Sequence, residues 1–241
     1  MEIQKNQNND HTVLDHILEL RTRILISILT VILGSGIAHF FHKQIIEIIL
    51  KPLDAQKLIF LSPLDPLFFI LKIDLVGGVL FALPIIVWSI LSYIKPILTK
   101  KTNYLIFLLY TSSTFLLLTA LIYTYFVVIP IILKFLNSIT ISGIESTITA
   151  QNYLGFFIMQ ILIIALIFQI PLFIVLGIYM KIFNTKLLST KRGYIYVAIT
   201  VALAVLTPTS DVFSLSIILV PALIIFEISL IIGKIVERFR K

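Results

Sequence analysis

The sequence predicts an all-α integral membrane protein: six transmembrane helices in a concave bundle, both termini cytoplasmic, the fifth and sixth helices short. Three observations carry this. Apolar residues make up 59% of 241 positions and charged residues 13%, with a mean hydropathy of +1.08. That leaves too little polar surface to cover a water-soluble globule. Uncharged runs recur at about 20 residues, the length a hydrocarbon core of roughly 30 Å demands of a helix. Finally, the 19 lysines and arginines divide unevenly between the two faces that six crossings define. Only Lys43, Lys51, Lys57, Lys72 and Lys134 fall on one face, and the positive-inside rule assigns the other to the cytoplasm. This asymmetry accounts for the net charge of +7 without nucleic acid as a partner.

With no cysteine, the chain has neither a disulfide framework nor a thiolate metal or redox site. The first twenty residues are polar and lead to no small-residue cleavage site, so no cleaved signal peptide is expected.

A single domain over residues 1–241 is expected, with spans at about 24–41, 68–94, 104–133, 153–180, 193–206 and 212–233. Before the first span, Thr12-x-x-Asp15 reads as a capping box opening an interfacial helix. The stretch HILELRTR follows, in which Glu19 and Arg23 stand four residues apart. On spacing alone this favours a surface ion pair of a few tenths of a kcal/mol over a binding role. HKQIIEIILKPL (42–53) reads as a short amphipathic helix on the outer face, stopped by Pro52. Lys72 and Asp74 are two apart and read as lying above the membrane, where the second helix projects outward. Pro84 is expected to kink that helix, because proline lacks an N–H and crowds the preceding turn.

The third span carries Pro130 near its far end, and NSITISGIESTITAQN (137–152) reads as a polar loop. The fourth is uncharged and interrupted by Gln169 and Pro171. A lone amide in hydrocarbon either bonds to a helix of its own chain or offers itself to a partner helix, and the sequence leaves both open. The fifth run, Gly193–Leu206, reaches only about 21 Å at about 1.5 Å per residue. Local membrane thinning is expected beside it. In the tip TPTSDVF, Ser210 or Asp211 reads as the cap of the sixth helix. Glu227 in that helix reaches the interface or faces the bundle.

Enzyme chemistry finds no footing: there is no HExxH, GxSxG or Gly-rich phosphate loop, and no cofactor or metal site is expected. The four histidines, His11, His16, His39 and His42, lie outside the deep membrane. A proton-driven carrier usually shows several mid-membrane carboxylates or symmetric halves, and neither is evident.

Taken together, H-x-x-E-L-R-x-R, KPL, SPLDPLFFILK, the LP at Pro84, YIKPILTKK, FQIPL, LTPTSDVFS and FEISL resemble the TatC family, the core subunit of the twin-arginine protein translocase. The likeness covers nearly the whole chain. It implies a multi-pass protein of a bacterial cytoplasmic (inner) or organellar membrane that receives twin-arginine signal peptides. With TatA- and TatB-type single-span partners it would move folded proteins using the proton-motive force, as a homo-oligomer within the translocase in contact with membrane lipid. For signal-peptide binding the resemblance points to His16, Glu19, Leu20, Arg21, Arg23, Lys95, Pro96, Lys100, Lys101 and Thr102, with Glu19 receiving a signal arginine. For docking of the partner helix it points to Gln169, Pro171, Thr207 and Pro208. Pro52, Asp65, Pro84, Asp211, Phe213 and Glu227 would shape the bundle or support its function.

The chain departs from the family pattern in places. Ile97 stands for a glycine and Thr102 for a second glutamate of the first cytoplasmic loop, so Glu19 is expected to carry more of the recognition, with Asp15 the nearby acid to substitute for the missing one. Ser89 stands where relatives often have glutamine, and Asp65, in place of glutamate, keeps the charge. The rival classes are a secondary transporter of a small solute and a scaffold without transport of its own.

Overall fold

The computed structural model describes residues 2–53, 57–94, 103–139, 147–207 and 211–240, with side chains from residue 17 onward except at 103, 105, 239 and 240. Two compact units form, Met1–Ile45 with Ile70–Tyr110, and Ile46–Phe69 with Thr111–Lys241. Five helical stretches are long and apolar enough to cross a membrane, and Arg192–Leu206 is a shorter apolar helix.

In the first unit, helix α1 (Glu2–Phe40) is continuous through the polar prelude and the first apolar run. Thr12 and Asp15 therefore lie inside it and open nothing, which corrects the capping-box expectation. EIQKNQNNDH contains neither proline nor glycine, so nothing stops the helix upstream of them. Hydroxyls within the apolar run are closed on the preceding turn: Thr22 Oγ1 donates to the Leu18 carbonyl at 2.9 Å, Ser27 Oγ to that of Arg23 at 2.9 Å, and Thr30 Oγ1 to that of Ile26 at 2.7 Å.

Helix α3 (Asp65–Ile94) runs through Pro84 without interruption. It meets α1 at small residues. A Cβ on Gly78 would lie 2.6 Å from both the Ser35 nitrogen and the Val31 carbonyl oxygen, and one on Gly77 would lie 2.8 Å from the Ala38 Cβ. This is the close backbone approach that lets helices associate in lipid through dispersion contacts.

The amphipathic segment forms α2 (His42–Leu50), which enters the second unit at Ile46, and a 3₁₀ turn (Lys51–Leu53) containing Pro52. The last carbonyls of α2 would lack partners, and two tyrosines supply them. Tyr125 Oη donates to the Ile48 carbonyl at 3.1 Å and Tyr153 Oη to that of Ile49 at 2.6 Å. The segment expected as plain loop contributes β2 (Ile148–Thr149), which pairs in parallel with β1 (Leu58–Ile59).

The third apolar stretch comprises α4 (Asn103–Tyr123), a π-helical turn (Thr124–Val128) and α5 (Ile129–Ser138). Pro130 explains the widened turn: it has no N–H for the carbonyl four residues back, and its ring crowds that position. The fourth comprises α6 (Ala150–Ile167) and α7 (Ile170–Tyr179), broken at Phe168 and Gln169 because Pro171 cannot continue the ladder. Of its most apolar window, 72% is buried, so it is the central element of this unit. Ile163, Ile164 and Ile167 pack there with Ala120, Val128, Leu203 and Ile218. A short helix α8 (Thr185–Thr190) leads into α9 (Arg192–Leu206), which is short as expected. Helix α10 (Val212–Arg240) is not short, since helical order continues past the apolar residues into the basic tail.

Candidate functional site

Glu19 sits on α1 one turn before Arg23, and the pair is made: Arg23 Nη2 lies 3.3 Å from Glu19 Oε1. The two side chains are 33% and 30% exposed respectively, so the pair is worth at most a few tenths of a kcal/mol. Among the described residues, Glu19 Oε2 has no partner. Arg21 is two residues from both Glu19 and Arg23, hence on another face, and is exposed without an ion pair among the described residues. Of the two arginines expected to orient Glu19, Arg23 alone is placed to do so. Leu20 is 42% exposed beside them. The His16 side chain, and all of Lys95, Pro96, Lys100, Lys101 and Thr102, lie outside the described residues.

The arrangement is a carboxylate half-held by a weak neighbour. A guanidinium arriving from outside can take both oxygens side by side.

Gln169 is buried at the break between α6 and α7. Its Oε1 accepts from the hydroxyl of Ser113 on α4, and its Nε2 donates to the Ser113 carbonyl at 3.3 Å. Of the two alternatives left open by the sequence, the structure realises the bond within the chain. Pro171 is buried in the first turn of α7, and Thr207 is buried at the end of α9, its N–H and hydroxyl both donating to the Leu203 carbonyl at 2.8 Å. Pro208 lies outside the described residues.

Asp211 Oδ2 accepts from the Ser214 N–H at 2.7 Å and so caps α10, while Phe213 stacks on Phe135 with centroids 4.5 Å apart. Asp65 Oδ2 holds the N–H groups of Leu61 and Ser62 at 2.9 and 3.0 Å, and its carbonyl receives Gln151 Nε2 at 2.8 Å.

Glu227 faces α9. It accepts from Tyr196 Oη and pairs with Arg192 Nη2 at 3.2 Å. Arg192 and Tyr196 were not singled out beforehand, although their i, i+4 spacing at the basic end of an apolar run places both on one face. Ser113 was also missed, and its signal was the polar island YTSST in an apolar run. Asp74, read as lying above the membrane, is buried within the protein, with Oδ2 2.8 Å from His39 Nδ1. Its Oδ1 has no partner among the described residues. Gln160 on α6 is fully buried with neither amide atom paired among the described residues.

The family model described as Sec-independent protein translocase protein (TatC) matches residues 15–221. A relative in Aquifex aeolicus (strain VF5), the Sec-independent protein translocase protein TatC, is 32% identical over 235 residues, covering 94% of this chain and 96% of its own. The uncharacterized tatC-like protein ycf43 of Gracilaria tenuistipitata var. liui is 30% identical over 235 residues, covering 97% and 98%. Among solved structures, the crystal structure of the twin arginine translocase receptor TatC in DDM superposes with a TM-score of 0.80 at 30% identity, over 90% of this chain and 99% of that one.

Proposed function

The chain belongs to the TatC family of Sec-independent protein translocase proteins and is a multi-pass membrane protein, and from that premise we propose that it is the receptor for twin-arginine signal peptides. In this reading Glu19 receives a signal arginine at the cytoplasmic end of α1. TatA- and TatB-type single-span partners complete the translocase, and the proton-motive force drives export of the folded cargo.

The observation that carries the reading is the one-third exposed Glu19 carboxylate, with one oxygen engaged by a same-helix pair and the other unpaired among the described residues. Exchange of Arg23 for an incoming arginine forfeits little and gains a bidentate, partly desolvated pair. Arg21 and Arg23 then serve to keep the helix end close to anionic lipid. Partner docking is proposed around Gln169, Pro171, Thr207 and Pro208. The apolar stripe Val197, Val201 and Val205, exposed at four-residue spacing along α9, offers a helix its contact surface. Because the Gln169 amide is closed on Ser113, docking there is an exchange of hydrogen bonds.

The test is photo-crosslinking of a twin-arginine signal peptide to the protein in membranes, wild type against Glu19→Ala. A charge-assisted bond at a one-third exposed site is worth about 1–2 kcal/mol, so crosslinking efficiency should fall roughly five- to thirty-fold. Equal crosslinking in both proteins, or none in either, defeats the assignment to Glu19.

A further inference from the structure

At the basic end of the second unit, the turn from α7 into α8 and the last turns of α10 enclose a pocket of about 570 Å³. One wall is apolar, made by Ile178, Ile182, Phe183 and Leu187, and the lip is polar, made by Lys181, Asn184 and Glu237. Its apolar wall is packed closely against two glycines. A Cβ on Gly177 would lie 2.3 Å from the Phe183 ring, and one on Gly233 would lie 2.4 Å from the Ile178 Cδ1. Phe183 and Ile178 are therefore seated directly on glycine backbone, with no room left behind them.

The one acid of the lip is already committed. Glu237 accepts from the Thr185 N–H at 3.2 Å and from the Thr185 hydroxyl. The cations are not: Lys181 on the lip, and Lys186, Lys234 and Arg238 on the adjoining turns of α8 and α10, are exposed and form no ion pair among the described residues. Lys234 precedes Glu237 by three residues and so shares its face of α10, while Lys186 adjoins Thr185.

Lys181 is held in an unusual backbone state. Its N–H donates to the Ile178 carbonyl at 3.1 Å and that of Ile182 to the Gly177 carbonyl at 2.9 Å, the paired bonds of a Schellman ending to α7. Its φ is 63°, the left-handed region where such endings usually place glycine. A lysine kept there at a conformational cost sets an ammonium on the pocket lip.

We propose that this pocket binds the headgroup of an anionic phospholipid from the adjoining leaflet. A soluble phosphate would satisfy the cations but leave the apolar wall unused. A phospholipid uses both, with its phosphate among the lysines and its glycerol and first methylenes against Ile182 and Leu187, which are 67% and 47% exposed. The proposal shares no residue with the Glu19 reading and does not depend on signal-peptide recognition.

Native mass spectrometry of the full chain in detergent, titrated with phosphatidylglycerol or phosphatidylcholine, tests this. Phosphatidylglycerol should be retained preferentially. Lys181→Gly should weaken that retention about fivefold, and adding Lys186→Gln and Lys234→Gln should weaken it about fivefold more for each cation lost. The same Lys181→Gly variant should melt at an equal or higher temperature, because glycine relaxes the left-handed residue. Loss of binding with retained stability separates a ligand contact from a structural role. Lys43→Gln, on α2, should leave binding unchanged. Equal retention of the two lipids, insensitivity to the lysine substitutions, or displacement of the lipid by equimolar glycerol 3-phosphate would each overturn the proposal.

Discussion

The buried contact between Ser113 and Gln169 makes a prediction whose sign is unusual. Ser113→Ala removes the hydroxyl that the Gln169 Oε1 accepts from, leaving an amide oxygen in apolar surroundings with no donor. An unsatisfied buried acceptor costs about 1–3 kcal/mol, and hydrogen bonds inside membrane proteins average about 0.6 and reach about 1.7. The expected loss is therefore about 1–2 kcal/mol. Gln169→Leu removes both amide groups together. The Ser113 hydroxyl then falls back on the carbonyl one turn earlier, as Thr119 and Thr124 already do at 2.9 and 2.7 Å. Its cost should stay under about 1 kcal/mol, and in the double variant the leucine should largely suppress the damage of Ser113→Ala, a coupling of about 1 kcal/mol. Unfolding in mixed micelles titrated with a denaturing detergent reads all four stabilities. Co-purification of the single-span partners reads the docking proposal on the same proteins. Gln169→Leu should weaken it with signal crosslinking intact, and Ser113→Ala, which releases the amide oxygen, should strengthen it. A neutral Ser113→Ala, or a Gln169→Leu that adds to its cost, would refute the reasoning about the contact. Unchanged partner association in both would leave Gln169 as an internal packing group.

Two further expectations concern helix contacts. Gly78→Ala should destabilise by about 1–3 kcal/mol, because its Cβ meets the Ser35 nitrogen and the Val31 oxygen at 2.6 Å, main-chain atoms that no rotamer change can move away. Ser35→Gly should not restore stability, and a Gly78→Ala protein that melts with the wild type would show that α1 and α3 can part freely. Glu227→Gln keeps an acceptor for Tyr196 but strands Arg192, and with the glutamate 31% exposed the cost should be about 1 kcal/mol. Glu227→Leu removes the partner of both and should cost more than Glu227→Gln, measured by the same detergent titration.

What was legible in the sequence follows from the range of each interaction. The apolar runs and their terminators are local, so the apolar helical stretches, the amphipathic α2, the short α9 and the Asp211 cap could be read directly. Thr12 and Asp15 misled because a capping pattern is equally local, whereas a helix begins where the preceding residues fail to be helical, and here they do not fail. The polar contacts needed the tertiary fold. Asp74 was judged by its own helix, but its partner His39 is 35 residues away, and Ser113 lies 56 residues from Gln169. The parallel pairing of Leu58 and Ile59 with Ile148 and Thr149 could not be seen either, since two residues carry no alternation.

The use made of each carboxylate gives a physical reason to single out Glu19. Among the described side chains, Asp65, Asp211 and Glu237 each hold backbone N–H groups at the start of a helix or turn. Asp74 and Glu227 tie one helix to another, through His39 and through Arg192 with Tyr196. Removing any of these leaves a donor unsatisfied, so its loss of activity would be entangled with loss of fold. Glu19 and the exposed Glu47 are the two that secure no second element, and they flank opposite ends of the α1 apolar span. Of these, Glu19 alone stands among arginines at the basic end. Its pair with Arg23 is a neighbour contact on a continuous helix, which keeps its hydrogen-bond ladder whether or not the pair forms. Glu19→Ala should therefore change stability by less than about 0.5 kcal/mol, so that any fall in signal-peptide crosslinking reports on recognition itself.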